Sequence, residues 1–151
     1  MSKLVKALVL MIGTTLGAAV QADTHPQATG GNPVIWFEIP ATDLERAMRF
    51  YETVFVVDLR IVDVGPSRLA LFPSEDGKAG AAGALAQRAG FEPAAGGALV
   101  FFEVSSIQET IARATEAGGV ILMPQTDLPG LGLTANVGDT EGNQIALFEL
   151  Y

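Results

Sequence analysis

The strongest constraint on the fold of this sequence is an internal duplication. Residues 34–39 (VIWFEI) are rich in β-branched and aromatic residues and include a glutamate, and residues 99–104 (LVFFEV) match them in length, aromatic content and placing of the glutamate. Such short segments predict strands. In each half a helical pattern and then three more strand-like segments follow. Two copies, rather than an extended array, imply one shared structure.

Capping and turn residues between these segments mark where the predicted helices and strands begin and end. In the first half, Thr42 or Asp43 is the expected N-cap of a helix with an aromatic apolar face, and strands are predicted at 57–64, 69–72 and 80–86. In the second half, Ser105 or Ser106 caps a helix that Gly118 and Gly119 end, and the strands are predicted at 120–123, 133–137 and 144–150. The sequence therefore predicts an α+β fold of two tandem βαβββ modules, at 33–88 and 97–151.

The first 22 residues stand apart from this pattern. Lys3 and Lys6 precede an apolar run over 7–19, and Val20-Gln21-Ala22 supplies the small residues that a signal peptidase reads. We therefore predict a signal peptide over 1–22, a flexible segment over 23–32 and a domain over 33–151. The alternative is a retained membrane anchor, although the run is shorter than the roughly 20 residues of a transmembrane helix. A periplasmic or secreted location is expected.

The charge balance limits the partners. The chain has 9 basic and 17 acidic residues, for a net charge of −8, and loss of Lys3 and Lys6 with the signal peptide would make it more acidic. An acidic surface repels phosphate backbones, so nucleic acid is not an expected partner. The absence of cysteine excludes disulfides, a thiolate nucleophile and lipid attachment through cysteine. After signal cleavage we expect no membrane association, and a small molecule as the ligand.

Residues 34–150 resemble the glyoxalase, bleomycin-resistance and extradiol-dioxygenase superfamily, also called the vicinal oxygen chelate (VOC) superfamily. The resemblance implies that the sheets of the two modules curl into one glyoxalase-like cavity. Some members pair their modules between chains, so both a monomer and a homodimer remain open. The matching motifs are Phe37-Glu38-Ile39-Pro40 leading to Phe50-Tyr51, Phe102-Glu103-Val104, Ala117-Gly118-Gly119, Pro129-Gly130-Leu131-Gly132, and 139–143 running into the last strand.

The resemblance also implies where a metal would be held in catalytic members, which use His and Glu on the first and last strands of each module. The corresponding positions here are Trp36, Leu99, Ala146 and one near Gly83. None of these side chains offers the oxygen, imidazole or thiolate that a divalent ion needs. The only histidine, His25, precedes the fold. We therefore expect neither a metal nor another cofactor, and no metal-dependent glyoxalase or dioxygenase activity.

Strand alternation predicts which side chains line the cavity. Phe37 and Ile39 should face the first helix, and Val100, Phe102 and Val104 the second. An aromatic lining with two carboxylates suits a flat or amphipathic organic ligand, including a cation, bound by ring stacking and a carboxylate contact. The predicted ligand-binding residues are Trp36, Glu38, Leu99, Phe101, Glu103 and Ala146.

Three classes of function remain open from the sequence. The first is non-metal binding of a small molecule. In the second, Glu38 and Glu103, related by the repeat, act as acid and base of a metal-independent lyase or isomerase. In the third, a structural or partner-binding protein, the pocket is filled by its own side chains. Trp36 could itself be a core residue, and both glutamates could simply be solvated.

Three shorter segments allow more specific predictions. Residues 127–132 form either a glycine-hinged lid or an ordinary strand connection. Residues 139–143 are acidic but lack the ligand pattern of a calcium loop, which predicts a hairpin turn. If cleavage follows Ala22, the new terminus Asp23-Thr24-His25 could bind Cu(II) or Ni(II) in a square plane.

Overall fold

The computed structural model describes residues 32–75 and 79–151. The predicted signal peptide and the Asp23-Thr24-His25 terminus lie outside these residues. None of the helices in the described part of the chain is long and apolar enough to cross a membrane. The elements of the first module are β1 (Trp36–Pro40), α1 (Leu44–Phe55), β2 (Arg60–Val64), β3 (Ser67–Leu71) and β4 (Ala82–Gln87). Those of the second are β5 (Val100–Glu103), α2 (Ile107–Glu116), β6 (Val120–Leu128), β7 (Gly132–Gly138) and β8 (Gln144–Leu150).

Each module forms a four-stranded mixed sheet, and the two sheets have the same topology. The strand orders are β1-β4-β3-β2 and β5-β8-β7-β6. In each sheet the first and last strands of the module pair in parallel and the other neighbours pair antiparallel. The predicted α+β class and tandem βαβββ order are thereby confirmed.

The helix caps resolve two choices that the sequence left open. Asp43, not Thr42, caps α1, and its carboxylate accepts a hydrogen bond of 2.9 Å from the backbone N–H of Arg46. Ser106, not Ser105, caps α2 through the N–H of Glu109 at 3.3 Å. Helical spacing places one side of α1 in the core. Its buried residues are Leu44, Ala47, Phe50, Tyr51 and Val54.

One hydrophobic core joins the two modules. It contains buried residues of both helices and of strands from both sheets. Phe55 of α1 stacks on Phe102 of β5 with ring centroids 4.4 Å apart, and Phe37 of β1 meets Phe102 edge-on at 5.9 Å. Phe102, predicted to face the second helix, thus stacks on a residue of the first helix. Because aromatic contacts of this kind cross between the modules, the core that packs against the helices is shared by both.

A polar contact, here called the inter-module clasp, adds to this packing. It is made by Glu141, Asp139 and Asn143 of the β7–β8 turn with the end of β1 and with α1. The Glu141 carboxylate accepts hydrogen bonds from the Arg46 guanidinium at 2.7 Å and 3.0 Å. The same carboxylate accepts from the N–H and hydroxyl of Thr42 and from the N–H of Asp43, at 2.8–3.0 Å.

The rest of the clasp is buried. The hydroxyl of Tyr51 donates to Asp139 at 2.9 Å, and the amide of Asn143 donates to the backbone carbonyl of Pro40 at 2.8 Å. Burial, followed by the neighbouring charge of Asp139, raises the pKa of Tyr51 well above its usual value. Asp139 also accepts three backbone N–H bonds from residues 141–143, which close the predicted hairpin turn.

Several strand ends differ from the predicted ones. β1 begins at Trp36 rather than at Val34, because the pairing with β4 begins at Trp36 and Ala82. It includes Pro40, which an edge strand tolerates since one side of its backbone needs no partner. β2 begins at Arg60 rather than at residue 57, and β6 runs five residues beyond its predicted end at Met123. Pairing with a neighbour, not local composition, sets these limits.

Candidate ligand-binding site

An open groove of about 1160 Å³ lies where β1 and β5 approach each other. Five of the six predicted ligand-binding residues border it: Trp36, Glu38, Leu99, Phe101 and Glu103. The edge strands of the two sheets thus bring together residues that are about 60 positions apart in the sequence. The groove lining combines aromatic rings and two carboxylates.

The sixth residue, Ala146, does not border the groove. It is fully buried on β8, opposite Phe101. The groove also reaches past the sheet edges into the aromatic core, so that Phe37 and Phe102, predicted to face only the helices, border it as well. Alternation describes the two faces of a sheet, whereas a groove between two edge strands is accessible from both.

The face of the first sheet that points away from the helices carries a second apolar cluster. Its buried residues are Val64, Leu69, Leu71, Ala84 and Ala86, and Trp36 packs against them. Phe91, from the connector between the modules (residues 88–99), packs there too. The predicted facing of Trp36 away from α1 is therefore observed, and the ring acts both as packing and as part of the groove wall.

The Glu38 carboxylate is held by two neighbours. One oxygen forms an ion pair with the Arg88 guanidinium at 2.6 Å, and the other accepts a hydrogen bond of 3.3 Å from the Trp36 indole N–H. The guanidinium carbon of Arg88 also lies 4.1 Å from the centre of the Phe91 ring. To act as a base, Glu38 would first have to release Arg88.

Sequence reasoning missed Arg88 and Phe91. Both lie in or beside a stretch of alanine, glycine and proline that reads as a linker. The available signal was that this stretch carries an arginine and an aromatic residue three positions apart, which is the composition of a cation–π pair. The sequence predicts Glu38 as a ligand-binding residue but does not predict its ion pair with Arg88.

The two glutamates are not equivalent in the repeat, contrary to the sequence interpretation. Glu38 lies five residues before its helix cap, Asp43, whereas the residue five positions before Ser106 is Phe101. Strand register agrees, since Glu38 lies opposite Ala84 of β4 and Phe101 lies opposite Ala146 of β8. The two glutamates therefore occupy different positions in their modules. Glu103 is exposed, whereas Glu38 is half-buried.

The residues at the metal-binding positions of the family do not fit a divalent ion. Indole, isobutyl and methyl groups occupy Trp36, Leu99 and Ala146, and the register places Ala84 next to Gly83 as the fourth. None has an atom that could ligate a cation. Nor do residues 32–75 and 79–151 contain any group of three or more His, Cys, Asp or Glu side chains placed to hold a metal ion.

The segment 127–132 is a hairpin connection and not a lid. Asp127 and Leu128 end β6 and Gly132 begins β7, so that the turn is short. The N–H of Leu131 donates to the carbonyl of Leu128 at 2.9 Å, and Gly130 has a positive φ of 78°. The Tyr151 hydroxyl further ties Asp127 to the chain end. The alternative that the sequence left open, an ordinary strand connection, is the one observed.

Comparison with solved structures gives similar folds at low sequence identity. Glyoxalase I from Zea mays aligns with a TM-score of 0.58 and 21% identity over 76% of this chain. The chain spans less than half of that enzyme, 44% of its length. A glyoxalase-related enzyme from Fulvimarina pelagi aligns with a TM-score of 0.58 and 20% identity, over 79% of this chain and 88% of that protein.

TnmS3, an antibiotic binding protein from Streptomyces sp. CB03234, aligns with a TM-score of 0.57 and 22% identity, over 81% of this chain and 98% of its own. Comparison with curated protein sequences gives no significant match. The model of the Glyoxalase/Bleomycin resistance protein/Dioxygenase superfamily matches residues 34–147, which include all ten strands and helices except the last residues of β8. This chain therefore belongs to the Glyoxalase/Bleomycin resistance protein/Dioxygenase superfamily.

Proposed function

We propose that this protein is exported and binds a small organic molecule in the groove between β1 and β5 without a metal ion. The observation that carries the proposal is the composition of the groove wall. Trp36 and Phe101 offer aromatic surface, Glu38 and Glu103 offer carboxylates, and the family's metal positions offer no ligand atom. Rings with a few polar groups are typical of sites for small organic ligands.

Two further observations support binding as the function. The groove is large enough for a drug-sized molecule, since such sites usually have volumes of several hundred Å³. A protein of the same fold and nearly the same length, TnmS3, is described as an antibiotic binding protein. Fold alone does not decide activity, so the lining residues carry the argument.

A thermal-shift screen tests the proposal. The purified protein is heated with aromatic metabolites and antibiotics, once in EDTA and once with added Zn²⁺. A ligand at 100 times its Kd stabilises the folded state by about 2.7 kcal/mol, which raises Tm by on the order of 5–10 °C. We expect such a shift in EDTA. A shift that appears only with the metal would contradict the proposal.

Recovery of the ligand distinguishes binding from catalysis. A binder returns the compound unchanged, whereas a metal-independent lyase or isomerase converts it. The pairing of Glu38 with Arg88 favours binding, because that carboxylate is already engaged. If turnover occurs, Glu103→Gln should abolish it, since Glu103 is the carboxylate that is exposed at the groove.

We also propose that the exposed apolar side chains of β6 contact a second copy of the chain. Ile121 and Leu122 of β6 are 43% and 49% exposed, and Val120 is 61% exposed. β6 is the edge strand of its sheet, and exposed apolar edges usually pair or are covered. Light scattering of the purified protein should give a dimer mass, and Leu122→Lys should give a monomer. A monomeric mass for both proteins would contradict the proposal.

A further inference from the structure

The duplication produces two equivalent sheet faces, which differ in the exposure of the side chain on the edge strand. On the first sheet, Leu69, Leu71 and their neighbours are buried, and Phe91 of the connector packs against them. On the second sheet, Phe101 is 56% exposed, although it occupies the position equivalent to Glu38. Phe91 of the connector packs on the first sheet, whereas Phe101 on the edge strand of the second sheet stays exposed.

The connector places a cation in an arrangement that resembles a bound ligand. The Arg88 guanidinium contacts the Glu38 carboxylate at 2.6 Å and lies 4.1 Å from the Phe91 ring centre. The Trp36 indole holds the second carboxylate oxygen at 3.3 Å. A carboxylate together with an aromatic face is the combination that recognises organic cations.

The connector is held at few points. A turn with Gly90 at φ 76° brings the N–H of Phe91 to the carbonyl of Arg88 at 3.3 Å. Farther along, the N–H of Ala94 donates to the Asn143 side chain at 3.3 Å. A second cavity of about 250 Å³ lies beside Phe91 and is bordered by Glu38 and Asn143. There is thus space next to the ring and few hydrogen bonds to break.

We propose that Arg88 occupies a cation subsite at Glu38, where the groove meets the second cavity, and that the ligand is an organic cation, a guanidinium or ammonium group carried on a flat apolar body, which displaces it. This inference rests on the proposed binding function and specifies its ligand class. Arg88 competes for Glu38, so the affinity of the intact protein is lower than that of the subsite itself.

Benzylguanidinium is a suitable probe, with benzylurea as its uncharged analogue. Trp36 is the only tryptophan of the chain and contacts Glu38, so its fluorescence reports on the subsite. Arg88→Met keeps an unbranched side chain but removes the competing charge. We expect this variant to bind benzylguanidinium at least tenfold more tightly than the original protein, and neither protein to bind benzylurea comparably. Adding Glu38→Gln to Arg88→Met should remove the gain.

Arg49→Met is the matched control, because Arg49 is an exposed arginine on α1, away from the groove lining. It should leave the affinity unchanged. Equal affinity of Arg88→Met and the original protein, or equal binding of benzylurea, would overturn the proposal. If Arg88→Met does not fold, Arg88→Gln and a titration of the original protein to saturation replace it. Absence of any change in Trp36 emission in that titration would also overturn it.

Failure of the cation subsite and failure of the proposed binding function give different experimental results. If the thermal-shift screen finds neutral ligands but Arg88→Met does not bind benzylguanidinium, the protein is a binder and the cation subsite is wrong. If the screen finds no ligand of any charge and the probe does not bind, the binding function itself is wrong.

Discussion

Glu141 contributes more to the folded state than its place in a turn suggests. Burial by itself would raise its pKa, but the hydrogen bonds from Arg46, Asp43 and Thr42 outweigh that effect and lower the pKa to about 2. A carboxylate with a lowered pKa stabilises the folded state at every pH above its ordinary value of 4.5. As the pH falls from 4.5 to about 2, the unfolded chain takes up the proton first and the stabilisation is lost.

Glu141→Gln should therefore lower the free energy of unfolding by about 1–3 kcal/mol at pH 7, after allowance for the exposure of Arg46 to solvent. The difference between the variant and the original protein should shrink as the pH falls below 4.5. Urea unfolding at several pH values measures it. Glu116→Gln, an exposed glutamate at the end of α2, is the control. A difference that is constant from pH 7 to pH 3 would contradict this assignment.

Gly83 is a second residue whose identity the packing dictates. A Cβ at this position would overlap the ring of Phe37. That ring cannot move freely, because the ring centroids of Phe72 and Phe102 lie 5.6 Å and 5.9 Å from its own. Gly83→Ala should destabilise the protein by about 1–3 kcal/mol, as overpacked core substitutions do. Thermal unfolding measures the change, and Gly96→Ala, where a Cβ has open space, should have little effect.

At the scale of elements, the start of α1 depends on the Asp43 cap. Asp43→Ala removes the acceptor for the Arg46 N–H and should cost about 0.5–2 kcal/mol. Asp43→Asn keeps an acceptor and should cost less. Chemical denaturation of the two variants compares them. Equal losses for both would indicate that the negative charge, not the hydrogen bond, supports the helix end.

The elements also show what the sequence can and cannot predict. Helical spacing and caps are local, so the presence of both helices and the pair of candidate N-caps for each could be predicted from the sequence. Strand ends depend on a partner elsewhere in the chain, which explains why β1 starts later and β6 runs longer than predicted. The five groove residues were predicted from strand alternation and from the family's metal positions, whereas the roles of Arg88 and Phe91 depend on how the connector folds.

The clasp illustrates the same limit. The 139–143 turn was predicted as a turn, but nothing local indicates that Glu141 reaches Thr42 and Arg46, about 95–99 positions away. A contact of this kind arises only when both modules are in place. Long-range polar partners of turn residues are therefore the hardest part of this structure to predict from a single sequence.

At the scale of the whole molecule, the shared core implies that the modules unfold together. Trp36 emission reports on β1 and the adjoining groove, and far-UV circular dichroism reports on the helices and strands of both modules. We expect the two signals to change at the same denaturant concentration, because aromatic packing and the clasp join the modules. Two separated transitions would show that each module is stable by itself. A double variant that weakens both contacts, Glu141→Gln with Phe102→Ala, should separate the two unfolding transitions.

The unequal coverage of the two sheets has a consequence for divergence. A substitution on the covered face next to Phe91 disturbs packing, so most changes there reduce stability. A substitution at exposed Phe101 alters the surface offered to a ligand with little effect on folding. In descendants of such a chain, Phe101 can therefore change at little cost to the fold, whereas the face beside Phe91 tolerates few substitutions.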